Sequence, residues 1–118
     1  DYPDFLIASS EWFAFVPAKE HFDEPGDHAD ELETSVMMHY HPELVNLDEA
    51  GDGNYKKFAS QMLNEKVAWI PRNWQKVSQD TGIGNPKKAS AEKGKKYAEA
   101  VVAKYALLFE ELVHKELY

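Results

Sequence analysis

Residues Asp27–Ser35 read DHADELETS: one histidine and four carboxylates within seven positions, at the point where a polar loop turns into a helix. An Asp at the start of a helix accepts the unpaired backbone N–H groups of the first turn, which makes Asp30 a cap. Glu31 and Glu33 then sit at the positive end of the helix dipole. A histidine titrates near neutral pH and can carry a proton, and a carboxylate beside it can orient the ring. His28, with Asp27 and Glu33 as orienting carboxylates, is therefore the candidate for proton chemistry. On residue types alone, a His among acids on a surface loop is more often simply solvated.

Outward from this stretch, Val36, Met37 and Tyr40 give the helix an apolar stripe. Pro42 ends it, because the residue before a proline avoids the α region. Leu44, Val45 and Leu47 follow, then a turn over Ala50–Asn54. Tyr55–Leu63 has a helical pattern, Val67–Ile70 is a short apolar run closed by Pro71, and Thr81–Asn85 is a loop. The clearest element comes last. Asn85 can cap, Pro86 suits a first turn, and Tyr97, Val101, Tyr105, Leu108 and Leu112 recur at helical spacing. One amphipathic helix over 86–114 is expected.

Upstream, Phe5–Ser9 reads as a short buried strand of the kind found in parallel sheets. Trp12–Val16 is a second strand or a loop that packs aromatics over a cleft. Ala18–Asp30 is polar, with a turn at Pro25–Gly26. A strand, a loop bearing chemistry, a helix and a long closing helix make part of an α/β layered fold. Sites in such folds lie at the carboxyl ends of the strands. No linker or repeat divides the chain.

Composition narrows the classes. The chain has 118 residues, 43% hydrophobic, with a formal net charge of −8. Nucleic-acid binding rests on clustered Lys and Arg, so it is not expected. The basic run Lys87, Lys88, Lys93, Lys95 and Lys96 is read as a solvated helix face, since Glu92 and Glu99 interrupt it. There is no cysteine, hence no disulfide framework or thiolate metal site. No apolar run approaches the ~20 residues of a membrane span, and a cytoplasmic location is expected. The first residue is Asp1 and a β-prone stretch follows at once, so a preceding portion, or a second chain supplying it, is expected.

The spelling of the central stretch adds more. DHADELETSVMMHYHPELV resembles the creatininase (creatinine amidohydrolase) family, in which H-[AG]-G-x-x-E-T-S-x-M-L precedes a short helix and P-[DE]-L-V. His28, Ala29, Glu31, Glu33, Thr34, Ser35, Met37, Pro42, Glu43, Leu44 and Val45 carry the match. Ser10–Trp12 (SEW) resembles the family's S-x-W, and Gly82–Gly94 (GIGNPKKASAEKG) its G-x-x-G-[DN]-P-x-x-A-[ST]-x-E-K-G. The resemblance covers almost the whole chain.

It implies a three-layer α/β fold around a mostly parallel sheet, with residues 1–118 forming the C-terminal portion of one domain. It implies hydrolysis of a cyclic or linear amide at two divalent metals (zinc, manganese or iron), with His28 moving a proton. Trp12 matches an aromatic that covers substrate, and Glu31 and Glu24 are further candidates for substrate contact. It also implies a homo-oligomer, a hexamer by analogy, to which Phe13, Phe15 and Phe22 could contribute contacts.

Three departures qualify it. The family's metal ligands come mainly from segments such as E-x-H-G and N-G-H-x-x-N, and nothing here matches them. The metals are thus expected on an N-terminal fragment or partner chain. Asp30 stands where a Gly is usual. Glu24 stands near the place of a Trp in the creatininase pocket. Alternatives are a non-catalytic remnant or interaction subunit, and a hydrolase of a non-amide ring such as a cyclic polyol ketone. Among the other residues, His21 could approach the site. His39 and His41, two apart, do not share a helix face, and His114 is a surface residue. Trp69 and Trp74 are read as core or interface.

Overall fold

The long helix α4, Ala91–His114, is the backbone of the architecture. The structure, a computed structural model, describes residues 7–114 and 116. Against α4 packs α1, Glu31–Tyr40. Two single-turn helices, α2 (Gln61–Asn64) and α3 (Trp74–Val77), lie in the long connection between them.

Helix α1 starts where the sequence places it. Asp30 Oδ1 accepts from Glu33 N at 2.9 Å, and Oδ2 accepts from Gly26 N, so one carboxylate closes both the helix and the turn before it. Of the expected apolar stripe, only Val36 packs against the core. Glu31, Leu32 and Ser35 are buried, while Met37 and Tyr40 are exposed. A Cβ on Gly94 would lie 1.9 Å from the Ser35 carbonyl oxygen, so the two helices meet backbone to backbone. No side chain fits at position 94 of that seam.

Helix α4 begins five residues later than the capping argument expects. Asn85 Oδ1 accepts from Lys87 N, which makes a local turn, and Ala89 N bonds to Pro86 O. The cap is Ser90, whose Oγ accepts from Lys93 N at 3.3 Å. The stripe holds. Tyr97 and Val101 are buried, and Tyr105, Leu108 and Leu112 half-buried.

The core is small: Val16, Phe22, Leu32, Tyr97 and Val101, flanked by Trp12, Phe15 and Tyr105. Tyr97 is its centre. Its ring makes edge contacts with Trp12, His21 and Phe22 at 6.2, 5.4 and 5.2 Å. Its hydroxyl is shared between the carbonyls of Phe13 and Val16 at 2.9 and 3.2 Å. Burial raises the Tyr97 pKa above its ordinary value, with the Asp30 charge adding to it.

The family's sheet is not visible among the described residues. They hold no strand, only isolated antiparallel bridges at His28–Ile83 and Tyr55–Ser78. Phe5 and Leu6 of the expected strand lie outside the described residues. Ile7–Ser9 carry no regular structure, and Ile7 is 93% exposed. A strand needs a ladder partner for its N–H and C=O groups, and none of the described residues supplies one. Trp12–Val16 is a 3₁₀ turn and bend that puts aromatics on the core, which is the loop reading rather than the strand.

The helical pattern at Tyr55–Leu63 shrinks to α2. Asn64 is responsible. Its side chain accepts from Phe58 N and donates to Phe58 O, closing a turn in place of a helix.

The molecule is open in outline. Its accessible surface is 9376 Å², against about 6,500 Å² for a self-contained domain of its mass. Its radius of gyration is 17.4 Å, against about 13.5 Å. Val67, Trp69 and Ile70 all face solvent, Trp69 at 81% exposure. Trp69 is thus not a core residue of this chain. No helix among the described residues is long and apolar enough to cross a membrane.

Candidate functional site

The loop carrying His28 is tied at its base before any side chain acts. Ile83 N donates to His28 O at 2.8 Å, and Asp27 N and His28 N both donate to Ile83 O at 2.8 and 3.1 Å. Gly84, at φ +127°, lets this second segment pass close by Asp30; a Cβ there would lie 2.7 Å from the Asp30 Cβ. Ala29 then takes φ +48°, in the left-handed region, and turns the chain into the Asp30 cap. The usual family Gly falls one place later, at Asp30. The sharp turn is nevertheless made, with Ala29 adopting the positive φ.

Two carboxylates of the stretch divide the work. Glu33 Oε2 accepts from Ala29 N at 2.7 Å and lies 3.3 Å from His28 Nδ1. That pairing is as the sequence suggests. The His28 side chain is 46% exposed, so the ring stands at the surface with its Nε2 unengaged among the described residues. Glu33 thus faces the Nδ1 side of the ring.

Asp27, the other expected orienting carboxylate, does not reach the ring. Its Oδ2 accepts from Arg72 Nη2 at 2.7 Å. Arg72 also lies over Trp74, 5.6 Å from the ring centroid, and the Trp74 and His28 rings are 5.2 Å apart at 55°. Both residues escaped the sequence reading, which assigned Trp74 to core or interface. The one available signal was compositional: Arg72 is the single arginine of the chain.

Glu31 is the main departure. It is 0% exposed, and both of its oxygens are committed, Oε1 to Lys93 Nζ and Oε2 to Glu24 N at 2.7 Å. A carboxylate held this way fastens the polar loop to α4 and has nothing left for a substrate. Lys93 also reaches Asp23 Oδ2 at 2.8 Å and the Lys88 carbonyl at 3.1 Å. Glu24 pairs with Lys88 at 2.7 Å and accepts from Asn85 Nδ2 at 3.3 Å.

Lys88 and Lys93 therefore also clasp the start of α4 to the acidic loop, while Lys87, Lys95 and Lys96 form the expected solvated face. The hydrogen bond and charge of Lys93 hold Asp23 below its ordinary carboxylate value, and Lys88 does the same to Glu24. Both lysines are raised in turn.

Trp12 sits beside Tyr97 and Phe13 at the edge of the core, and Trp74 is the aromatic against His28. His21 also packs on Tyr97, in the core. The His39 ring lies 4.6 Å from that of Tyr40, tilted by 52°, and His41 pairs with Glu43 at 3.3 Å. A groove of about 460 Å³ includes Phe13, Asp27, Trp69, Ile70, Arg72 and Ile83 in its wall. A second, more polar depression, with Asp52, Lys76, Asp80 and Lys87 in its wall, touches none of the expected site residues.

The donors do not fit a metal centre. Asp27 is taken by Arg72, Asp30 by backbone N–H groups and Glu31 by Lys93, which leaves His28 and Glu33 as a pair. No group of three metal-ligating side chains occurs among the described residues.

The comparisons agree with the spelling. The family model for creatininase, creatinine amidohydrolase, matches residues 4–109. A crystal structure from Bacteroides fragilis NCTC 9343, named "Putative creatinine amidohydrolase", is 61% identical with a TM-score of 0.89. The match covers 99% of this chain and 47% of that one, so the chain spans about half the length of that relative. No curated protein matches.

Proposed function

The chain belongs to the creatininase family, and on that premise we propose that it takes part in hydrolysing the C–N bond of a cyclic or linear amide, with His28 carrying the proton. The observation that supports this most directly is the half-exposed His28 ring with Glu33 3.3 Å from its Nδ1. In this reading Nε2 takes a proton from the attacking oxygen and returns it to the leaving nitrogen. Glu33 steadies the imidazolium formed between those two events.

The family's divalent metals find no cluster among the described residues, so no step is assigned to them through this chain. The metal ligands are proposed to lie on an N-terminal fragment or partner chain that completes the fold. The exposed Val67, Trp69 and Ile70 suit such a partner, because apolar patches of this kind mark interaction surfaces.

The test is hydrolysis by the protein that carries this chain, offered creatinine and a panel of cyclic and open-chain amides. His28→Ala is expected to lower turnover by roughly 10²- to 10⁴-fold with its circular dichroism spectrum unchanged. Equal turnover in the variant removes His28 from the reaction. No hydrolysis in the wild type, together with absence of metal from the purified protein, points to an interaction subunit instead.

A further inference from the structure

We infer that Arg72 and Trp74 are positioning residues that fix the plane of the His28 ring. The inference rests on the reading of His28 as the proton carrier.

A half-exposed imidazole gripped at one edge can still swing about its side-chain torsions. Glu33 meets the edge, at Nδ1. Trp74 supplies a second, independent contact, its ring 5.2 Å from that of His28. Arg72 links this contact to the main chain: its guanidinium lies 5.6 Å from the Trp74 ring and donates to Asp27, the residue just before His28. The three side chains thus close a circuit from Asp27 through Arg72 and Trp74 back to His28.

Core packing does not account for this placement. Trp74 is 38% exposed and opens a single-turn helix whose cap residue, Asn73, makes no side-chain bond. That helix is held from behind, by Lys56 N on Val77 O at 2.7 Å and by the Tyr55–Ser78 bridge. The platform for Trp74 is therefore anchored independently of the core. The ring plane decides where Nε2 points, and a displacement near 1 Å at a reacting atom costs about a hundredfold in rate.

The experiment labels the histidine ring nitrogens with ¹⁵N in the protein that carries this chain. Wild type, Trp74→Ala, Trp74→Phe and Arg72→Met are compared by NMR and by steady-state kinetics. Wild-type His28 is expected to show one dominant tautomer, protonated at Nδ1. Trp74→Ala is expected to move its nitrogen shifts toward the average of the two tautomers, and Trp74→Phe to restore them.

With any amide that the wild type hydrolyses, Trp74→Ala should lower kcat about tenfold while KM stays within about twofold. Unchanged His28 nitrogen shifts in Trp74→Ala overturn the inference. So does a raised KM at constant kcat, which would make Trp74 a direct substrate contact. Should Trp74→Ala fail to fold, Arg72→Met carries the same expectation, since it frees Asp27 and leaves the indole in place. If the wild type hydrolyses no amide, the role of His28 in catalysis fails, and the nitrogen shifts still decide whether Trp74 holds the ring.

Discussion

Ala29 holds an unusual position for a residue with a side chain. Its φ of +48° bends the chain between His28 and the capping Asp30, while its N–H anchors Glu33. A left-handed conformation costs an L-residue roughly 1–2 kcal/mol, which glycine escapes. Glycine in turn loses about 0.4–1 kcal/mol through the freer unfolded chain. Ala29→Gly is therefore expected to leave stability unchanged or raise it by up to about 1.5 kcal/mol, measured as a urea midpoint at constant slope. A clear loss of stability would mean that the turn is not strained.

At this scale the sequence was only partly legible. His28 and Glu33 stand five apart across a helix start, and their meeting could be foreseen. Arg72 and Trp74 reach them from far along the chain, and a local pattern carries no record of such contacts. The same distance hid the role of Glu31, whose partner Lys93 looked like one of several surface lysines.

Between elements, the seam of α1 and α4 governs. Ser35 is fully buried, its Oγ accepts from Ser90 N at 3.1 Å, and its carbonyl faces Gly94. Gly94→Ala places a methyl group where backbone already stands, so the helices must separate. Overpacking of this kind costs about 1–3 kcal/mol, and the rigid neighbour puts the expectation at the upper end, read from chemical denaturation.

The ion pairs at the same seam set a pH dependence. Asp23 and Glu24 are held below their ordinary values of 3.8 and 4.5 by Lys93 and Lys88. Their stabilisation is complete above those values and disappears as pH falls through the lowered ones. Lys88 and Lys93 are raised above 10.5, so their share is complete below that pH and is lost as pH climbs through the raised values. The melting temperature is expected to be flat with respect to these groups between about pH 5 and 10, and to fall on either side. Added salt should lower the plateau slightly, since these pairs are largely exposed.

Two family motifs that read as separate spellings, E-T-S and E-K-G, are thus two sides of one contact. Periodicity revealed α4, and capping chemistry revealed the start of α1. The strand at Phe5–Ser9 could not be judged by either, because a strand is defined by its neighbours.

Over the whole molecule, the excess surface and the exposed Trp69 describe a body with a large uncovered face. The half of the Bacteroides relative that this chain does not span is the proposed occupant. If so, the emission of Trp69 should shift to shorter wavelength when the rest of the fold is present, and an unchanged spectrum would count against that face. The core, by contrast, is drawn from α1, α4, the aromatic turn at Trp12–Val16 and Phe22 in the loop that follows it.

The separation of that face from the helix seam has a consequence for a broken chain. Lys66 is exposed at φ +60°, beside the solvent-facing apolar run, and offers trypsin a site outside the core. A cut after Lys66 divides the sequence but not the clasp, since Ser35, Glu31, Lys93 and Gly94 hold the two pieces from the far side. The nicked protein should run as two bands in denaturing gel and as one species in native gel filtration. An unbroken chain at Lys66 is then something the folded state can do without.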